Sequence, residues 1–225
     1  MKSKTLLFKT FAVLGLLLCL IGIYVAVTWV MGDLYGYKVR FAVESWQKEK
    51  ALPELGQIDK ALIDAEGALT WEDTNPEYYE LKARVLYYKA LVEGVDGAGR
   101  DALVNAKQLH IQAAELRPRW PYSWANIVLM KAHMNEFDEE FNQSLLNAEQ
   151  YGPWEQSVHL TLAHAGAISW SNLSAEQKSI IAEHVHRGLK HSFKGLADIL
   201  NFYKKRSLIC AYMQRDEKQK VFCGS

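Results

Sequence analysis

The feature that most constrains the fold is a set of residue spacings that occurs twice in the middle of the chain. Intervals of 4, 3 and 5 positions separate one group of residues: Ala106, His110, Ala113 and Pro118. The same intervals recur 35 positions later, in Phe141, Leu145, Ala148 and Pro153. Spacings of three and four place residues on one helical face, and proline disfavours continuation of a helix. The repeat therefore predicts successive helix hairpins that stack through matching apolar faces.

A tryptophan follows each of these prolines, and the two residues, Trp120 and Trp154, lie 34 positions apart. A period of 34 or 35 residues that ends in proline resembles the tetratricopeptide repeat, a pair of antiparallel helices. Stacked hairpins of this kind usually build binding surfaces. Val128 stands where that repeat usually has glycine, so we expect the repeats to be degenerate.

Helical patterns cover most of the chain, whereas the alternation that is typical of strands is nearly absent. The apolar spacings and turn residues predict helices at about 36–50, 53–69, 76–92, 100–116, 122–134, 137–150, 155–168, 174–191 and 195–205. Capping boxes are expected at Thr74–Glu77 and at Ser174–Gln177. The expected fold class is all-α: an N-terminal transmembrane helix, then a tetratricopeptide-like α-solenoid of about four helix hairpins, with a C-terminal cap.

Residues 11–31 form an uncharged apolar run, FAVLGLLLCLIGIYVAVTWVM. Roughly 20 apolar residues are enough for a helix to cross the hydrocarbon core of a membrane. Lysines precede the run, without any acidic residue, and positive charge tends to stay on the cytoplasmic side. The sequence therefore predicts a cytoplasmic tail at 1–10, a transmembrane helix at 11–31, a helical domain at 32–206 on the outer side, and a C-terminal segment at 207–225.

The alternative is a signal peptide that is cleaved after export. Such a peptide has an apolar region of about 7–15 residues followed by a small-x-small cleavage site. The run here is longer, and the nearest candidate site, Ala26-Val27-Thr28, is a poor match. The pattern favours an anchor that is retained, without deciding whether cleavage occurs.

The charges cancel over the whole chain but are unevenly distributed. There are 26 basic and 26 acidic residues in total. Residues 32–186 hold 14 basic and 23 acidic residues, and residues 187–225 hold 9 basic and 3 acidic ones. Since the acidic bulk of the domain would repel phosphates, we expect no nucleic-acid partner.

The chain has three cysteines, two of which could pair. Cys19 lies within the apolar run, whereas Cys210 and Cys223 lie 13 positions apart in the last segment. Outside the cytoplasm these two could form a disulfide that ties down an otherwise polar segment. Two unpaired cysteines are the alternative.

The aromatic residues around the two turns are the best candidates for a binding surface. Tryptophan and tyrosine rings stack on sugars and also anchor protein interfaces. The pattern predicts Trp124 and Trp154 as core residues between hairpins. It also predicts a surface for a protein partner or a glycan that is formed by Arg117, Arg119, Trp120, Tyr122, Ala125, Leu129 and His133.

Motifs for catalysis or metal binding are weak. His159, His184, His186 and His191 do not have the spacing of a zinc motif, and the acidic residues at 136–140 fit the N-terminal end of a helix, where negative charge is favoured. The chain has neither a G-x-S-x-G elbow nor a phosphate-binding glycine loop with lysine. We therefore expect no catalytic residues, no bound metal and no cofactor.

The segment 117–125, RPRWPYSWA, is followed by Gly152-Pro-Trp-Glu155. Together with the N-terminal apolar run and the two late cysteines, these segments resemble the VpsP family of bacterial polysaccharide-biosynthesis proteins and related repeat proteins of exopolysaccharide clusters. The resemblance implies a Gram-negative inner-membrane protein that supports assembly or export of a surface polysaccharide. The resulting hypothesis is a non-enzymatic scaffold or adaptor with a periplasmic domain, and the alternative is a carbohydrate-binding accessory protein of the same pathway.

Overall fold

The structure, a computed structural model, describes residues 2–49 and 51–224. Its described residues form ten α-helices and no strand. The helices are α1 (Lys2–Glu49), α2 (Leu55–Trp71), α3 (Pro76–Glu93), α4 (Arg100–Leu116), α5 (Pro121–Met134), α6 (Glu139–Tyr151), α7 (Gln156–Ser169), α8 (Ala175–Phe202), α9 (Arg206–Cys210) and α10 (Glu217–Cys223).

These helices pack as four consecutive hairpins. The C-terminal part of α1 pairs with α2, α3 with α4, α5 with α6, and α7 with α8, while α9 and α10 pack on α8 as a cap. Each hairpin also contacts the next, mainly through α2–α3, α4–α5 and α5–α7. The predicted all-α solenoid is therefore confirmed.

The repeated spacing marks the core of the two middle hairpins, as predicted. Its helical positions on α4 and α6 are all at most 1% exposed: Ala106, His110, Ala113, Phe141, Leu145 and Ala148. Ala106, Phe141, Leu145 and Ala148 belong to one apolar cluster, which extends from α3 to the cap. A second cluster joins α1, α2 and α3 around Val39, Ile58 and Tyr78.

Local signals explain most helix ends, with two corrections. The Ser174–Gln177 capping box is present at the start of α8, but Asn75 rather than Thr74 caps α3, because its side chain accepts from the backbone N–H of Glu77. The two helices predicted at 174–191 and 195–205 are one helix with a distortion at Ser192.

The predicted disulfide joins Cys210 to Cys223, with 5.9 Å between their Cα atoms. It connects the end of α9 to the end of α10. The side chain of Phe222, next to Cys223, is buried against Phe193, and their ring centroids lie 5.2 Å apart. The C-terminal segment is therefore held on α8 by both a covalent bond and aromatic packing.

The apolar run belongs to α1, which continues without a break past Met31 into the first hairpin. Its mean hydropathy reaches 2.6 over 18 residues, so α1 is long and apolar enough to span a membrane. The ends of three predicted ranges lie outside the described residues: Met1 of the tail, Lys50 of the first helix and Ser225 of the C-terminal segment. The side chains of Lys2 and Lys4 also lie outside them.

Close contacts between glycine and tyrosine fix α1 to the rest of the solenoid. The ring of Tyr78 on α3 lies over Gly32 and Gly36 of α1, and a Cβ atom at Gly36 would lie 2.7 Å from Cε1 of that ring. In return, the ring of Tyr35 on α1 lies over Gly67 of α2, where a Cβ atom would lie 2.8 Å from Cδ1. The absence of side chains at these glycines lets the helices approach closely.

We predict that Gly36→Ala destabilises the chain relative to Gly56→Ala. Both substitutions gain up to about 1 kcal/mol of helix propensity, but only Gly36→Ala overpacks Tyr78, at a cost of about 1–3 kcal/mol. A Cβ atom at Gly56 would have no neighbour within 4 Å. Equilibrium unfolding of the detergent-solubilised chain measures the difference, and equal free energies of unfolding would contradict this account.

Candidate functional site

A stack of side chains at the turn between α4 and α5 forms the most exposed part of the predicted surface. The guanidinium carbon of Arg117 lies 4.7 Å from the ring centroid of Trp120, whose ring in turn lies 4.9 Å from that of Tyr122. The Tyr122 hydroxyl donates to Oε2 of Glu155 at 2.5 Å. We call Arg117, Arg119, Trp120 and Tyr122 the α4–α5 corner.

The backbone explains why these side chains meet. Pro121 is the first residue of α5, and Trp120 immediately precedes it in an extended conformation. The Nε1 atom of Trp124, one turn into α5, donates to the carbonyl of Pro118 at 2.8 Å and so ties the turn to the helix. The hydrogen bond to Glu155 and partial burial raise the pKa of Tyr122 to about 12, so this hydroxyl remains a donor at neutral pH.

Two residues of the predicted surface are not on it. Ala125 and Leu129 are 1% and 4% exposed, because α5 lies between α4, α6 and α7 and has little free surface. The prediction for Trp154 was also wrong: its side chain is 77% exposed beyond the end of α6. His133, by contrast, keeps part of its surface.

His133 belongs to a line of four polar rings, which we call the Tyr–His row: Tyr87, His133, His164 and Tyr203. The Tyr87 hydroxyl lies 3.0 Å from Nε2 of His133, and the Tyr203 hydroxyl lies 2.9 Å from Nε2 of His164. The two imidazole rings meet edge to face, with 5.8 Å between centroids. The row thus runs from α3 through α5 and α7 to the residue that directly follows α8, and it links three successive hairpins.

Burial keeps the Tyr–His row uncharged. It lowers the pKa of His133 and of His164 to about 4. The proximity of His133 lowers the pKa of His164 further. Burial also raises the pKa of Tyr87 and of Tyr203. Each hydroxyl therefore keeps its proton and can donate to a neutral imidazole. Sequence reasoning found His133 but missed its partners, because residues from other parts of the chain supply them.

Trp154 borders a second candidate site, a cleft of about 480 Å³ between α7, α8 and the C-terminal segment. The Arg187 guanidinium lies 5.5 Å from the Trp154 ring centroid. The tryptophan cleft is lined by Trp154, His159, Glu183, His186, Arg187, Lys190, His191, Gln214 and Lys218. It combines an exposed indole with several basic groups.

A series of polar contacts connects two residues that line this cleft, His159 and Arg187, to Glu149 of α6. Nδ1 of His159 lies 2.9 Å from Nδ1 of His184, and Nε2 of His184 lies 2.5 Å from a carboxylate oxygen of Glu149. Arg187 donates to the same carboxylate at 3.0 Å. Contacts with His184 and Arg187 hold the pKa of Glu149 below its usual value, and burial lowers that of His159 to about 4.

The acidic residues at 136–140 surround a buried lysine that sequence reasoning missed. Only 1% of the Lys131 side chain is exposed, and its Nζ donates to Asp138 at 2.9 Å and to Glu140 at 2.8 Å. Although burial lowers the pKa of Lys131, these hydrogen bonds raise it overall. Asp138 also caps α6, so the cluster has a structural explanation. A lysine within the apolar segment 127–132 was the available signal.

The comparisons with known proteins identify no relative. No family model, no curated protein and no solved structure matches this chain. Among the described residues, no group of three or more histidine, cysteine, aspartate or glutamate side chains is placed to hold a metal ion.

We predict that the Tyr–His row makes the fold acid-sensitive. Because the folded-state pKa values lie below the unfolded value of about 6.5, the unfolded state binds more protons, and stability falls as pH drops from about 6.5 towards 4. At pH 5 the loss is up to about 2 kcal/mol per histidine. Thermal unfolding at pH 7 and at pH 5 measures it.

The double variant His133→Gln/His164→Gln should show a smaller pH dependence, since Gln can hydrogen-bond to tyrosine but does not titrate. Part of the pH dependence should remain because burial also lowers the pKa of His110 to about 3 and that of His159 to about 4. His191→Gln is the matched control, since His191 is exposed. An unchanged pH dependence in the double variant would rule out this role of the row.

Proposed function

We propose that this chain is a non-enzymatic, single-pass inner-membrane scaffold or adaptor of exopolysaccharide synthesis or export. Its N-terminus would lie in the cytoplasm and its solenoid in the periplasm, where it would hold a protein partner of a synthesis or export complex. The polysaccharide setting rests on the resemblance of segments 117–125 and 152–155 to the VpsP family.

One observation carries the proposal: the apolar helix and the first helix of the solenoid are the same helix, α1. At 1.5 Å per residue, its 48 residues span about 70 Å, of which a membrane uses roughly 30 Å. Val39, Val43 and Trp46, beyond the apolar run, are buried against the solenoid. A flexible linker would leave the domain free to rotate, whereas this helix holds it at a set distance from the membrane.

The Cys210–Cys223 disulfide supports the periplasmic placement. Disulfides persist in oxidising compartments and are rare in the cytoplasm. The lysines before the apolar run favour the same orientation, with the N-terminus inside.

The α4–α5 corner is the surface that we propose for the protein partner. Its indole lies between a guanidinium and a phenol, so the three groups are ordered before any partner binds. Tryptophan, tyrosine and arginine are the residues most often found in interface hot spots. Arg117 and Arg119 would favour an acidic or carboxylate-bearing segment of the partner.

We expect Trp120→Ala to weaken partner binding by at least 2 kcal/mol, or about 30-fold, as is typical of an aromatic hot spot. Crosslinking in native membranes, followed by mass spectrometry, measures partner recovery, and secreted polysaccharide is measured in the same cells. Both should fall in this variant.

Trp71→Ala is the matched control, because Trp71 on α2 is 39% exposed and Trp120 is 36% exposed. A second variant replaces residues 1–31 by a cleavable export signal, which frees the solenoid from the membrane. Unchanged polysaccharide output from the untethered chain would argue against a membrane scaffold, and equal effects of the two tryptophan variants would argue against the corner.

The alternative function is binding of an acidic carbohydrate in the tryptophan cleft. The specific observation is the exposed ring of Trp154 beside Arg187, with Lys190 and Lys218 on the same walls. An indole face suits the apolar face of a sugar ring, while the cations suit its carboxylates. In this alternative, the proposed glycan surface is at Trp154, whereas the sequence had suggested Trp120 and Tyr122.

For the carbohydrate alternative, titration of the full chain with a uronic-acid oligosaccharide should quench tryptophan fluorescence. Trp154→Ala should abolish the quenching, whereas Trp71→Ala and Trp120→Ala should retain it. The affinity should fall with added salt, because the cleft is open to solvent. Equal binding of a neutral oligosaccharide, or quenching that survives Trp154→Ala, would exclude the cleft as an acidic-sugar site.

A further inference from the structure

A short stripe of large apolar side chains lies on the face of α1 that points away from the solenoid, between the exposed residues Asp33 and Lys38, and it ends at Glu44. Beyond the apolar run, Leu34, Tyr37 and Phe41 are 51%, 57% and 64% exposed. Their partners on the opposite face, such as Val39 and Val43, are buried in the first hairpin. A groove of about 720 Å³ beside this face is also lined by Ile63 of α2, which is 72% exposed.

These exposed residues follow the heptad spacing of a coiled coil. Intervals of three and four separate Leu34, Tyr37 and Phe41, and the same register can be extended back into the uniformly apolar run 11–31. The first position of each heptad, a, is occupied by Val13, Leu20, Val27, Leu34 and Phe41, and the fourth position, d, by Leu16, Ile23, Val30 and Tyr37. The seam therefore continues from the membrane-spanning part of α1 into the part that packs on the solenoid.

We propose that this seam pairs with the same seam of a second copy of the chain, as a parallel two-stranded coiled coil that begins in the membrane. The parallel arrangement rests on the proposed membrane orientation, because two copies that insert in the same direction can only present α1 side by side in parallel. Each copy then brings an identical apolar stripe at the same height, and the unpartnered face is covered in both.

Charges beside the seam are complementary in this arrangement. In the same heptads, Asp33 occupies position g and Lys38 occupies position e. A parallel coiled coil brings each g residue close to the e residue five positions further along the other helix, which pairs Asp33 with Lys38 of the second copy. Within the chain, Nζ of Lys38 lies 3.3 Å from Asp64 and Asp33 lies 3.8 Å from Arg40, yet 49% of the Lys38 side chain and 71% of the Asp33 side chain remain exposed.

Glycines do not offer an alternative seam outside the apolar run. Gly32 and Gly36 have the four-residue spacing of a close helix-packing motif, but Tyr78 of the same chain covers both. The partner must therefore approach α1 from the opposite side, where Leu34 and Phe41 lie.

Cysteine crosslinking of the full chain in native membranes tests the pairing. In a Cys19→Ser background, Leu34→Cys and Phe41→Cys should each give, on oxidation, a species of twice the 25.6 kDa chain mass. Val104→Cys, at an exposed apolar position on α4, is the matched control and should stay at 25.6 kDa. Dimers at all three positions would indicate random collision. Their absence at 34 and 41, or crosslinks only to a different protein, would overturn the proposal.

Charge reversal tests the orientation separately. Asp33→Lys alone and Lys38→Asp alone place like charges opposite each other in both pairs, so each homodimer should be weakened. A mixed dimer of the two variants restores opposite charges in both pairs. Coexpression with two tags should therefore yield mixed dimers above the statistical share, and a statistical mixture would contradict the parallel seam. Dimerisation is measured without reference to polysaccharide, so its failure and that of the proposed scaffold function remain distinguishable.

Discussion

The structure depends on the continuity of one long helix, α1. The apolar run and the first helix of the solenoid are continuous in α1, so the core of the first hairpin is built directly on the membrane-spanning candidate. The contact that secures this arrangement is the packing of the Tyr78 ring against Gly32 and Gly36. Close-packed interiors transmit displacement. A movement of α1 would therefore displace the Tyr78 ring and, with it, α3 of the next hairpin.

Polar groups within the stack add a second constraint, since they must meet specific partners on neighbouring helices. Lys131 reaches three carboxylates near the start of α6, and the Tyr–His row connects α3, α5 and α7 with the end of α8. An apolar interface between hairpins has no such pairing requirement. A buried ammonium that loses its carboxylate partners costs about 3–5 kcal/mol, and a buried neutral imidazole that loses its hydrogen bond costs about 1–3 kcal/mol. These groups therefore favour one register of the solenoid over its neighbours.

The sequence predicted the fold where a periodic signal existed. The repeated spacing identified buried positions on α4 and α6, and the apolar run identified α1, because both signals depend only on the period of a helix. Prediction from the sequence failed where the surroundings of a side chain are formed by residues far away in the sequence. Trp120 and Trp154 follow equivalent prolines, yet Trp120 stacks between Arg117 and Tyr122 while Trp154 extends over Arg187 of α8.

The candidate sites depended even more on non-local contacts. Ala125 and Leu129 were assigned to a surface by analogy with an open repeat, but α7 and α6 cover them. His133 was found as a single residue, although its chemistry is set by Tyr87 and His164 on other helices. Periodicity reports which face of a helix is apolar. It does not report how many neighbours that helix has.

The two faces of α1 together explain why its residues beyond Met31 have an unusual composition. An anchor that merely tethered a domain could end in a polar linker, and a solenoid helix that only capped a stack would expose polar residues outward. Instead, the inner face carries glycine and valine against α2 and α3, and the outer face carries Leu34, Tyr37 and Phe41. The inner stripe is covered within the chain, and the outer stripe is the surface that the proposed second copy would cover.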